Sequence, residues 1–174
     1  EDQEFVAEFA LGSVNTLRPN VNFTADGAVL AVDDVRIGVF GGGVSVDADH
    51  RTPGVDVFPG AELPSMAAVK LLEGTNVDVL VTHDAPILPP SMNKTFGSDD
   101  LVLSRARVAA AVDAAQPKIV IHGHYHVRYD SSLYLTSGVE VETHGLAANF
   151  SSLGDAVGVL HNGIWMTLSQ ALYS

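Results

Sequence analysis

The stretch Ile119-Val120-Ile121-His122-Gly123-His124-Tyr125-His126-Val127-Arg128-Tyr129 decides how the rest of the chain is read. Three β-branched apolar residues run into His122 and a glycine. A short apolar run closed by a turn residue predicts a buried strand that ends at Gly123. Past the glycine the chain leaves the sheet, so His124 and His126 can converge above its edge. Neutral imidazole is the commonest protein ligand for borderline transition metals. The plainer alternative is a polar loop that happens to be rich in histidine.

Val77-Asp-Val-Leu-Val-Thr-His83-Asp84-Ala-Pro86 repeats the grammar: an apolar β-branched run, a histidine at the exit, and a proline that stops the strand. Open α/β sheets place ligands outside the carboxyl ends of their strands. Two strands that each deliver a histidine there predict one shared metal site, whereas either histidine alone would read as a structural residue.

The 174 residues, 47% of them hydrophobic, suit one domain with its own core. Nine basic against 21 acidic residues give a formal charge of −12. That argues against a nucleic-acid surface, which needs basic patches to displace phosphate counterions. A phosphate substrate stays open, because bound divalent ions can be the largest local charges in a site. The absence of cysteine excludes disulfides and thiolate metal sites. No apolar run is long enough to span a membrane, and Glu1-Asp2-Gln3-Glu4-Phe5 does not read as a signal peptide, so a cytoplasmic location is expected.

Around these two stretches the chain reads as follows. Residues 2–10 suit a short helix capped by Asp2. Pro19-Asn20 marks a turn, and Asn22 to Leu30 and Val35 to Phe40 are strands joined through Gly27 and Asp33-Asp34. Gly41-Gly42-Gly43 lacks the spacing of a dinucleotide fingerprint; these glycines let the backbone turn sharply or pass close to another group. Ser45, Asp47, Asp49, His50 and Arg51 then form a polar loop, either solvated or rimming a site. Pro64-Ser65 opens a helix to about Glu73, with Met66, Val69 and Leu72 on one face and Gly74 closing it.

Residues 84–100, with Pro86, Pro89 and Pro90, read as an irregular binding loop or lid. Ser98 or Asp99 caps a helix from Leu101 to about Ala115, in which Leu101, Val102, Arg105, Val108, Ala109 and Val112 recur at helical spacing. Strand, helix, strand by a right-handed crossover predicts that the two histidine-bearing strands are parallel. Leu133 to Val141, Ala156 to Leu160 and Trp165 to Leu168 supply further strands, the last two joined by a turn at His161-Asn162-Gly163.

With Thr82-His83-Asp84 and then Gly123-His124-Tyr125-His126 after a strand, the chain resembles the calcineurin-like metallophosphoesterases. The Gly41-Gly-Gly-Val-Ser-Val-Asp47 segment with Arg51 is similar to the small bacterial and phage members. The likeness covers essentially the whole chain, but only the later part of the family's domain. It implies an α/β (α+β-like) fold, a two-layered β-sandwich flanked by helices that holds two divalent metals at strand ends. His83 and His124 match ligands of one metal and His126 a ligand of the other. Such pairs lie about 3.5–4 Å apart, clamp phosphoryl oxygens and lower the pKa of a water into a nucleophile. Mn, Fe, Zn and Ni all suit ligands of this type.

The family's D-x-H, G-D-x-x-D and G-N-H-[DE] motifs have no counterpart here. Asp47 and His50 are three apart, Gly158 stands where Gly154-Asp155 would need a second Asp, and no Asn-His pair occurs. The chain therefore supplies the histidine ligands without the bridging Asp, the Asn ligand or the leaving-group acid. Residues 1–174 are expected to be one incomplete domain, the C-terminal half of a phosphoesterase, with Glu1-Asp2 standing just after a lost G-N-H. Its partner would be the N-terminal half, as a separate chain or a removed segment, or a second copy. Three neutral histidines cannot offset two divalent charges, and a missing half-sandwich would leave apolar surface and strand edges uncovered. Two further readings stay open: a non-catalytic binding or structural module, and a single zinc ion held by His83, His124 and His126.

Neighbouring residues carry expectations too. Asp84 either orients a ligand from behind or caps the proline turn. Arg51 and Arg128 either grip substrate phosphate or pair with surface carboxylates, and Tyr125 either lines the cleft or packs. His122 is expected buried and hydrogen-bonded, His144 a bystander in a late loop, and His161 solvated in a turn.

Overall fold

The computed structural model describes residues 9–58, 60–148, 150–161 and 163–173. The helix expected over 2–10, with its Asp2 cap, lies outside these residues except for Phe9 and Ala10, which are not helical. Asn162 of the expected turn and the side chain of Asp49 also lie outside them.

Strands β1 (Val14–Arg18) and β2 (Val21–Thr24) make a hairpin across Pro19-Asn20. Six more strands, β3 (Val29–Val32), β4 (Val35–Phe40), β5 (Val79–Thr82), β6 (Ile119–His122), β7 (Tyr129–Tyr134) and β8 (Glu140–Gly145), form one mixed sheet. Their order is β3-β4-β5-β6-β8-β7. The four central strands are parallel and both edges antiparallel. The two histidine-bearing strands are thus parallel neighbours, as expected. A second hairpin, β9 (Gly158–His161) and β10 (Ile164–Thr167), lies outside the sheet.

Helices α1 (Met66–Leu72) and α3 (Asp99–Ala115) supply the β-α-β crossovers; a short α2 (Pro90–Asn93) interrupts the loop between β5 and α3. Two more short helices, α4 (Leu153–Ala156) and α5 (Leu168–Leu172), flank the second hairpin. Ser65 caps α1 by accepting from Ala68 N, and Gln116 ends α3 in the left-handed region. The core lies between these two helices and one face of the sheet, built from Phe40, Leu72, Leu80, Val108, Val112, Val120 and Val141 among others.

Three expectations need correction. Met66 is 46% exposed, and Ala68 joins Val69 and Leu72 inside. At about 100° per residue Met66 points roughly 120° away from Leu72, so i, i+3, i+6 spacing carries it off the buried stripe. Val102 sits off the α3 stripe for the same reason and is exposed. The single strand expected over Leu133 to Val141 is two antiparallel strands, β7 and β8. Gly138 (φ 85°) turns the chain, and Leu135 N–H donates to Val139 O at 2.8 Å.

The sheet's second face is less covered. The ladder register aligns Val39, Val81 and Ile121 across β4, β5 and β6, and Val81, in a central strand, is 38% exposed. Among the described residues no helix is long and apolar enough to cross a membrane.

Leu80 is fully buried on the covered face. Leu80→Ala should lower unfolding free energy by about 2–5 kcal/mol, read from the urea midpoint; a loss below about 1 kcal/mol would contradict this placement of the core.

Candidate functional site

Strands β4, β5 and β6 end side by side, and the loops that leave them meet. His83 follows β5 directly and His124 stands two residues beyond β6. Gly42 (φ 83°) turns the chain after β4, and Gly43 passes so close to His83 that a Cβ there would lie 2.8 Å from His83 Cδ2. Here the glycines allow both the sharp turn and the close approach. Gly43 N–H donates to Glu62 O at 2.7 Å, and the Glu62 carboxylate accepts from Ser45 N at 3.0 Å and Phe58 N at 3.1 Å, which holds the loop in place.

The Val44 carbonyl in that loop lies 2.8 Å from His124 Nε2. A carbonyl only accepts, so Nε2 carries the proton and Nδ1 holds a lone pair. That lone pair faces His83 Nε2 at 2.9 Å, which therefore donates to it. The two rings lie 4.7 Å apart, edge to face. Burial, then the neighbouring imidazole of His124, push the His83 pKa below its ordinary value; Asp84 opposes them in part, and His126 adds a smaller push in the same direction as His124. The shift favours the neutral ring, the form a ligand requires.

His124 (φ 71°) and His126 (φ 58°) both lie in the left-handed region. For residues with a Cβ this costs about 1–2 kcal/mol each, and such strain tends to collect at functional sites. Between them Tyr125 is buried, while both histidines border a cavity of about 500 Å³. His83, Gly43, Ser45, Val46, Asp47 and Arg51 complete its lining.

Arg51 donates through Nε to Asp47 Oδ1 at 2.7 Å and through Nη1 to Asp56 O at 3.1 Å. The hydrogen bond from Arg51 holds the Asp47 carboxyl below the usual range.

Other candidates fall elsewhere. Arg128 does not line the cavity; it bonds Asp130 at 2.7 Å and the carbonyl of Tyr129. Tyr125 packs rather than lining the cleft, its ring against Phe96 and His124. Asp84 is fully buried and bonds none of the histidines: its carboxylate accepts from Ala85 N and Tyr125 OH, each at 2.7 Å, and from the Ser104 hydroxyl. Arg105 donates to Phe96 O at 2.9 Å and Tyr125 Oη at 3.3 Å. His144 is not in a loop but buried on β8, bonded to Asp130 Oδ1 at 2.6 Å and stacked on Trp165. His161, at the end of β9, is exposed.

Sequence reading missed Val44, whose contribution is a backbone carbonyl, and Ser104. It placed Arg105 on the helix stripe without its polar role. The only signal was that Ser104 and Arg105 fall on the inward face of α3.

Two nitrogens bound to one tetrahedral zinc at about 2.0–2.1 Å are roughly 3.3 Å apart, and at the right angles of an octahedral ion about 3 Å. His83 Nε2 and His124 Nδ1, 2.9 Å apart in a hydrogen bond, would share an ion once the His83 proton moves to Nδ1 and both lone pairs turn to a common point. Among the described residues no three His, Asp or Glu side chains are grouped to hold an ion, so His83, His124 and His126 do not form a mononuclear centre by themselves in this structure. No protein-family model matches the chain, and no curated protein matches it.

Behind the site, His122 is buried as expected. Its Nδ1–H donates to Gly123 O at 3.2 Å, which leaves Nε2 to accept from Tyr129 OH at 3.0 Å. Burial drives its pKa from the ordinary 6.5 down to about 4. The folded ring binds its proton more weakly than the unfolded one, so stability should be full above pH 6.5 and fall as pH drops towards 4. The loss approaches about 3 kcal/mol. Urea unfolding of metal-free protein across this range, with and without His122→Gln, checks it; equal pH slopes in the two proteins would refute it.

Proposed function

We propose that this chain carries the histidine part of a two-metal phosphoesterase centre, with His83 and His124 on one divalent ion and His126 on a second. The observation that carries the reading is the pair of imidazole nitrogens 2.9 Å apart at the tips of neighbouring parallel strands, with the other N–H of His124 held by the Val44 carbonyl. Ligand histidines are commonly oriented by that kind of second hydrogen bond. Bound ions would supply a water of lowered pKa and charge stabilisation for a phosphate ester. Within the chain, Arg51 faces the same cavity and offers the guanidinium suited to a phosphate oxygen.

The remaining ligands would come from residues outside 1–174 or from a second copy. The part-open sheet face at Val81 agrees with one layer of a two-layered sandwich awaiting the other. The lack of any three-ligand group among the described residues favours a second reading, a non-catalytic module that docks on a partner and needs no metal.

Metal titration separates the two. The chain should bind Mn²⁺ or Zn²⁺, and His124→Ala should weaken binding at least about tenfold, since even changes behind a ligand cost 10–100-fold. Hydrolysis of a nitrophenyl phosphodiester should need the missing ligands as well as His124. No bound metal in the unaltered chain would leave only the second reading, and activity that survives His124→Ala would overturn the proposed centre.

A further inference from the structure

The two histidines that touch are each followed by a residue that turns inward, and those two residues also touch. Asp84 succeeds His83 and Tyr125 succeeds His124; Tyr125 OH donates to Asp84 Oδ1 at 2.7 Å. We infer that this buried contact sets the spacing of His83 and His124, which makes Asp84 and Tyr125 the positioning pair of the centre. The inference deepens the metal reading and rests on it for its function, but the spacing itself is argued from contacts within the chain.

The contact is well suited to hold a distance. The Asp84 carboxylate is fixed by Ala85 N on its own loop and by Ser104 on α3, so it cannot follow Tyr125 if the second loop moves. Tyr125 is fixed in turn by Arg105 at 3.3 Å and by its ring contact with Phe96. One backbone bond, Gly123 N–H to His83 O at 3.2 Å, ties the loops at their base. That bond lies before His124, where the backbone enters the left-handed region, and so leaves the ring's direction open. Tyr125 lies between the two left-handed residues, and with its hydroxyl anchored inside, the flanking imidazoles keep to the cavity side.

Tyr125→Phe removes the hydroxyl and keeps the packed ring. In metal-free protein, imidazole ¹⁵N spectra should show His83 Nε2–H bonded to a bare His124 Nδ1. The variant should lose that bond and mix tautomers at both rings, and its Mn²⁺ affinity should fall about tenfold or more. Ser104→Ala, which takes a donor from the same carboxylate without cutting the link between the loops, should lower stability yet keep the wild-type ring signals. Asp84→Asn, which keeps the shape and an acceptor for Tyr125, should keep them as well. Wild-type ring signals in Tyr125→Phe, or their loss in Asp84→Asn while Tyr125 OH stays protected, would overturn the inference. Absence of metal binding by the wild type would overturn the proposed centre instead, with the ring spectra still deciding the positioning role.

Discussion

Burying one carboxylate is the constraint around which this molecule is arranged. Asp84 has no exposure, and an unpaired charge there would cost several kcal/mol. The fold answers with donors from three directions: the Ala85 amide on its own loop, Ser104 on α3, and Tyr125 on the loop after β6. A second buried bond, from Arg105 on the same helix to Tyr125 Oη at 3.3 Å, reinforces the meeting of α3 with the loop after β6. Arg105 extends the network to the Phe96 carbonyl and so ties down the proline-rich loop. A network this enclosed stabilises only when every member is satisfied, which couples the sheet, the helix and both loops into one unit.

On the outer side of the same loops the physics reverses. The imidazoles sit at the border of a cavity, two of them on left-handed backbone, with Gly43 pressed against a third. Strain of this kind persists only where the surroundings over-determine it, and the anchored Tyr125 is the nearest candidate for doing so. The pairing of an inner rigid contact with an outer polar one accounts for how the two histidines are brought together.

Much of this was legible in the sequence. The β-branched runs ending in His83 and at Gly123, and the helical spacing between them, gave the parallel pair and its histidines at one edge. The glycines after β4 announced a close approach. The β7–β8 hairpin was not legible, because Asp130-Ser131-Ser132 lacks strand character and takes its pairing from β8. Nor was the role of Asp84, whose partners lie 20 and 41 residues further along the chain. His144 was misjudged for a related reason, since the antiparallel pairing that the sequence hid sets it opposite Asp130; for Arg128 the structure shows the surface ion pair, one of its two expected roles.

Charge then limits what the histidines can do by themselves. Neutral imidazoles donate electrons but offset none of the charge of a divalent ion, so a pair of ions needs carboxylates nearby. The chain has a net charge of −12, yet the one carboxylate in the described cavity lining is that of Asp47, and Arg51 already holds it at 2.7 Å. Asp84 is next to His83 in sequence, but its oxygens are engaged by Ala85, Ser104 and Tyr125 and it has no exposed surface. Recruiting it to a metal would dismantle the network that brings His83 to His124. The residue best placed by sequence to complete the centre is therefore the one least able to, and on the metal reading the anionic ligands have to reach the cavity from its open side.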